Sequence, residues 1–414
     1  MSKLDELTKE LCPDGVEYHK LNTMCAIYDG THSTPNYTDH GVKFASVENI
    51  NAPFDTTKYI SEEDFEKYRI KPQIGDVLMT RIGSIGVCTV IDRDEPLAYY
   101  VSLALLRPKA EIINTRFLKY AIESINGRKE LRKRTLVNAV PIKINKDDIG
   151  KIKLPVPPLE VQREIVRILD SFTLLTAELT AELTARKKQY EFYRDKLLTF
   201  GNDIPILPLK DVVKKSCAGA TPAKGNAEYY EGGTIPWIRT QDVRFNEITE
   251  VDSFITEKAV KETAAKWIPK NCVIVAISGA TAGRCAINKM KATTNQHCLN
   301  MQIDDEKALY KYVYYCICSK QDEIVSKKQG ARGDLNSSLI LGTKIPVPKL
   351  EVQKKIVHVL DNFESICTDL NIGLPAEIEA RQKQYEYYRD LLLTFAETGS
   401  TLMTDRQTDR AERN

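Results

Sequence analysis

The sequence predicts an α+β fold: two α/β domains separated by an antiparallel two-helix coiled coil, the whole pseudo-two-fold duplicated. Three observations predict it: a segment that occurs twice, an apolar stripe of helical period in each copy, and matching strand-and-turn patterns in the stretches between.

The duplication organises the chain. Residues 155–170 read PVPPLEVQREIVRILD and residues 346–361 read PVPKLEVQKKIVHVLD, an offset of 191. Further on, RKKQYEFYRDKLLTF at 186–200 returns as RQKQYEYYRDLLLTF at 381–395, twelve of fifteen identical but now offset by 195. The second copy therefore carries four extra residues in its middle.

Both copies have helical spacing. Val161, Ile165, Ile168, Phe172, Leu175, Leu179, Leu183, Tyr190, Tyr193 and Leu197 fall on steps of three and four, interrupted only by Arg186, which gives one apolar seam of coiled-coil type. Val352, Ile356, Val359, Phe363, Ile366, Leu370, Leu374, Tyr385, Tyr388 and Leu392 draw the second seam. Pro157, Pro158 and Pro348 end the preceding strand and let a helix start beyond them, while Gly373 and Pro375 predict a kink or restart in the second helix. The aromatic runs QYEFYRD and QYEYYRD lie on the seam, so packing rather than base stacking is expected of them.

The stretches 1–154 and 201–345 correspond more faintly. Each has a Thr-Pro turn (Thr34-Pro35, Thr221-Pro222), an apolar strand (42–50, 234–243), a strand pair with glycines at its turn (76–91, 272–287) and a short helix. The expected domains are thus 1–154, a first helix 155–200, 201–345, a second helix 346–396 and a disordered tail 397–414. A helix from Leu159 to Phe200 would measure ~60 Å and hold the two globules apart, the second helix running back along it to complete a dumbbell.

Composition excludes other classes. With 42% hydrophobic and 28% charged residues in 414, the chain reads as a soluble protein of at least two domains, without the ~20-residue apolar run that spans a bilayer. A cytoplasmic protein with no membrane association is expected. The ten cysteines form no CxxC pair and read as buried free thiols. Five histidines without i, i+4 pairing argue against zinc. No Asn/Asp-Pro-Pro-aromatic motif for adenine methylation and no GxxxxGK[ST] phosphate loop occurs. In PDGVEYHK at 13–20, Glu17 and Lys20 stand three apart rather than the two of a nuclease cluster. Catalysis by the chain itself, and any cofactor or metal of its own, are not expected.

The doubled LPVPPLEVQREIVRILD and RKKQYEFYRDKLLTF resemble the conserved helical regions of type I restriction-modification DNA-specificity subunits, over about residues 15–396. The divergent globules resemble that family's target-recognition domains. The tandem Thr-Ala-Glu-Leu at 176–183, with Thr176, Leu179, Thr180 and Leu183, resembles the spacer of the branch that uses such tetrapeptides. The resemblance implies a bipartite target in double-stranded DNA, each half read by one domain. It also implies two methyltransferase subunits docked on the helices and restriction-motor subunits that join them. These partners would use S-adenosylmethionine, ATP and magnesium, in a bacterial cytoplasm and at the nucleoid. A self-contained methyltransferase or nuclease, and a protein-binding coiled-coil adaptor, are the alternatives.

Base edges require side chains that donate and accept in bidentate geometry. The loops offer Thr31, His32, Thr34, Arg81, Ser84 and Asn138 in the first half, and Thr221, Arg239, Gln241, Ser278, Arg332 and Asn336 in the second. For each, an ordinary turn or surface role is the competing reading. Gly83, Gly86, Gly279 and Gly283 read as turn formers. Phosphate contact is expected of RKELRKR, where Arg128, Lys129, Arg132, Lys133 and Arg134 face a single Glu130. Lys327 and Lys328 are the weaker counterpart; a solvated helix end is the alternative.

Overall fold

The computed structural model describes residues 2–329, 333–369 and 371–395. Arg332, Leu370 of the second seam and the tail beyond Ala396 lie outside the described residues. The chain forms two compact units, Met1–Glu178 with Ile378–Asn414, and Leu179–Glu377.

The first unit is built on a four-stranded antiparallel sheet ordered Cys25–Asp29, Leu103–Pro108, Val77–Thr80, Cys88–Val90. A three-stranded sheet follows, in which Val42–Ala45 pairs antiparallel with Tyr59–Ile60 and parallel with Leu97–Tyr99. A short ladder, Tyr18–Lys20 against Lys153–Pro155, closes the domain at the base of its helix.

The second unit repeats the plan. Its main sheet runs Val213–Ala218, Cys298–Ile303, Val273–Ala276, Cys285–Asn288, with Asn246–Ile248 added parallel at the edge. Ile235–Ile238 pairs antiparallel with Phe254–Ile255 and parallel with Thr293–Thr294. Ile206–Pro208 pairs with Lys344–Pro346, as Tyr18–Lys20 does in the first unit.

The helices form where the apolar period places them. Leu159–Leu197 is one helix of 39 residues, ending three residues short of Phe200. The second copy is two helices, Leu350–Thr368 and Leu374–Leu392, because the chain between them makes turn bonds instead: the Asp369 carboxylate accepts from Asn371 N–H at 2.7 Å. A Cβ on Gly373 would lie 2.6 Å from Asp369 O, so the restart needs glycine there.

In the first copy Val161, Ile165 and Leu169 are buried in a core that also holds Leu4 and Leu7 of the Lys3–Leu11 helix. Lys3 reaches Glu164 at 3.3 Å. In the second copy the seam departs from expectation: Ile356 and Leu360 are buried, whereas Val352, Val359 and Ile366 are exposed. Leu169 and Leu360, equivalent and both off the expected stripe, are buried in both copies; Val352 differs from its buried equivalent Val161, whose core also holds Leu4. All ten cysteines are free and nine are buried.

Candidate nucleic-acid interface

The same cluster of loops is assembled in each unit. In the first, Val77–Thr80 and Cys88–Val90 are joined by a turn in which Gly83 and Gly86 take φ of 77° and 87°, values that L side chains rarely adopt. In the second, Gly279 and Gly283 do the same at 68° and 94°. The turn formers were legible from the sequence.

A second loop returns to each turn. Ile144 N–H donates to Arg81 O at 3.0 Å and Gly83 N–H to Ile142 O at 2.9 Å. In the other unit Leu335 N–H donates to Ile277 O at 2.8 Å, while Asp334 accepts from Ser278 Oγ at 2.6 Å and from Gly279 N–H at 3.2 Å. A third loop enters through a close backbone approach. A Cβ on Gly30 would lie 2.4 Å from Tyr100 O, and one on Gly219 2.0 Å from Thr294 O. Sequence reasoning passed over these two glycines; the signal was a glycine just ahead of the Thr-Pro turn in both halves.

These frames sort the expected base readers. His32, Thr34, Ser84 and Asn138 are exposed on the loops, and Thr31 is half-buried with its hydroxyl bonded to Ser33 O. Thr221 is hydrogen-bonded to Gln296, a residue missed beforehand, whose amide nitrogen lies 3.1 Å from His297 Nε2. Gln241 is exposed in a turn. Arg239 is half-buried there, with a buried Nε that has no hydrogen-bond partner.

Three others are occupied by the fold. Arg81 is buried, ion-paired with Asp29 and bonded through Nε to Ile144 O at 3.2 Å, so it holds the returning loop. Ser278 is bound to Asp334. Asn336 caps Ser337–Leu341, its side chain accepting from Leu339 N–H at 2.9 Å; such a cap is worth about 1 kcal/mol.

The basic cluster lies on the helix Ile125–Arg134. Arg128, Lys129, Arg132 and Lys133 are exposed. Lys133 and Arg134 share Glu130, at 2.7 and 2.8 Å. Burial alone would raise the Glu130 carboxyl, but Lys133, the Lys153 N–H and Arg134 together hold it below its usual range. Glu130 therefore stays ionised and offsets part of the patch, leaving Arg128, Lys129 and Arg132 as its stronger cations. Lys327 is tied to Glu323 at 2.7 Å, and Lys328 is half-buried.

The spacer residues Thr176, Leu179, Thr180 and Leu183 all lie within Leu159–Leu197. Leu179 and Leu183 are half-buried one turn apart, and the Thr176 hydroxyl donates to Phe172 O at 2.9 Å. The boundary between the compact units falls inside this tandem repeat, at Glu178/Leu179. Among the described residues no group of three or more His, Cys, Asp or Glu could hold a metal, and no helix is long and apolar enough to cross a membrane.

A family model, the type I restriction modification DNA specificity domain, matches residues 13–186 and again 203–380. The specificity subunit of the Escherichia coli type I restriction enzyme EcoR124I/EcoR124II is 41% identical over 256 residues, 59% of this chain and 63% of that protein. A putative type I restriction enzyme specificity subunit of Haemophilus influenzae is 32% identical over 304 residues, 66% of this chain and 75% of that protein. Among solved structures, one of a type I restriction-modification system superposes with a TM-score of 0.64 at 16% identity, covering 92% of this chain and 98% of that one. The type I S subunit of Mycoplasma genitalium gives 0.51 at 13% identity, covering 92% and 96%. At these identities the structures speak to the fold.

Proposed function

The chain belongs to the type I restriction-modification DNA-specificity family, whose domain it carries twice, and from that premise we propose that each unit reads one half of a split target in double-stranded DNA. The observation that carries the reading is the recurrence of one loop cluster in both units, a glycine turn with a second loop hydrogen-bonded to it. The frame is common while the exposed side chains differ, as two readers of two half-sequences require.

The chain catalyses no step. It places two methyltransferase subunits, docked on the helices, over adenines in the target, and restriction-motor subunits join them. S-adenosylmethionine, ATP and magnesium belong to those partners, and the work is done at the nucleoid. In this reading residues 1–154 and 201–345 are the readers, and 155–200 and 346–396 the helices that join them.

The test is selection from a random duplex pool by this chain assembled with its methyltransferase. Two fixed half-sequences separated by a gap of fixed length are expected. An unenriched pool sinks the reading, and methyl transfer or cleavage by the purified chain alone would make it an enzyme instead.

A further inference from the structure

The loop that returns to the first glycine turn has an apolar tip. It leaves the basic helix at Thr135, closes at its base where Leu136 N–H donates to Lys143 O at 2.8 Å, and is tied to the turn through Gly83 and Ile142. Between these anchors the sequence is Leu-Val-Asn-Ala-Val-Pro-Ile. Val140 is 100% exposed, Val137 67%, Leu136 42% and Ile142 41%. Four large aliphatic side chains thus stand in water on one seven-residue loop, which an unpartnered surface does not favour.

Cations flank the loop in sequence. Arg132 and Lys133 precede it, Lys143 and Lys146 follow it, and all four are exposed. A polyanion with an apolar interior satisfies both features, and stacked bases inside a phosphate backbone are such a partner. Resting on the DNA-reading function above, we propose that residues 136–142 are a wedge: the flanking cations seat on phosphates while aliphatic side chains of the tip insert at a base step and partly unstack it. Side chains of this kind unstack base steps at a cost of about a few kcal/mol per step, offset by the added contact that a bent duplex makes.

The wedge is confined to one unit. The corresponding stretch of sequence in the second half, 329–335, reads Gln-Gly-Ala-Arg-Gly-Asp-Leu, and its one large aliphatic residue, Leu335, is buried. A single kinked step, in the half-sequence read by the first unit, follows from that difference.

The experiment uses the full chain assembled with its methyltransferase on the selected duplex, with 2-aminopurine placed at each step in turn. Apart from the target adenines, which methyltransferases flip out of the stack, fluorescence should rise several-fold at one step in one half-site only. The quadruple variant Leu136→Ser, Val137→Ser, Val140→Ser, Ile142→Ser alters exposed side chains alone and should abolish that rise while leaving the salt dependence of binding unchanged. Arg128→Ala, Lys129→Ala, Arg132→Ala should weaken binding yet keep the rise at saturation. Selective binding with no bright step beyond the flipped target adenines overturns the wedge and leaves the DNA-reading function standing. Loss of methyltransferase assembly in the serine variant, with DNA binding retained, also overturns it by making the tip a protein contact. Failure of the wild type to bind any duplex selectively removes both readings.

Discussion

Phe172 stacks on Tyr388 with ring centroids 5.4 Å apart and planes 22° from parallel. Within the other unit Phe363 stacks on Tyr193 at 5.6 Å and 28°. The partners are the repeat equivalents, 191 apart for the phenylalanines and 195 for the tyrosines. The same holds for the tyrosines that meet the helices: Tyr120 donates to Asp170 at 2.6 Å and Tyr315 to Asp361 at 2.5 Å. The duplication therefore extends to individual contacts.

Gln162 is the hinge of one such set. Fully buried, it accepts from Asn114 N–H at 2.8 Å and donates to Ile112 O and Pro157 O at 3.0 and 2.8 Å. Gln353 makes the matching bonds to Leu309, Lys307 and Pro348. Gln162→Leu leaves three backbone groups unpaired and is expected to cost about 2–4 kcal/mol. Chemical denaturation monitored in the first unit checks this; a loss under about 1 kcal/mol means that water replaces the amide.

Charge on the basic helix predicts a salt effect. Arg128→Ala, Lys129→Ala, Arg132→Ala should weaken binding to target and random duplex alike, because phosphate contacts carry no sequence information. The slope of log affinity against log salt should fall by up to ~0.9 per lost contact. Lys133→Ala with Arg134→Ala should change it less, since Glu130 already occupies both. Titration of binding against salt decides, and a relaxed sequence choice with an unchanged slope would place these side chains on bases.

Burial raises the Glu364 carboxyl above its usual range, against hydrogen bonds from Tyr315 and Tyr314 and alongside repulsion from Asp361. A group whose pKa is higher folded than unfolded contributes stability at low pH and loses it as pH rises through the folded value. Glu364→Gln, which stays neutral, should therefore gain on the wild type as pH climbs from about 4.5. Melting temperatures of the two proteins across pH 4 to 8 test this; a constant difference contradicts it.

Asn336 separates folding from reading. Asn336→Asp keeps an acceptor for Leu339 N–H and should preserve both stability and target, whereas Asn336→Ala should cost about 1 kcal/mol and leave the target sequence unchanged. An altered half-sequence in the alanine variant, read from a duplex selection, would make Asn336 a base reader.

The helices, the duplication and the glycine turns were legible because local periodicity and a steric rule determine them. What escaped depends on residues distant in sequence. Arg81 reads as a free recognition arginine until Asp29, 52 positions earlier, is brought against it. Val352 reads as seam like Val161, yet it is exposed, and among the described residues its core holds no counterpart of Leu4. Asn336 could have been recognised: an Asn followed by Ser-Ser and an apolar run is an N-cap signal.

The tandem tetrapeptide offers the most direct measurement. One further Thr-Ala-Glu-Leu after Leu183 lengthens the helix by ~6 Å and turns it slightly more than once, keeping Leu179 and Leu183 in line with the seam. With ~3.4 Å per base pair, methylated adenines mapped by single-molecule sequencing, in cells carrying either the wild type or this variant, should show the same two half-sequences with the gap longer by one or two base pairs. An unchanged gap, or new half-sequences, would contradict a chain that reads two half-sequences with two domains joined by this helix.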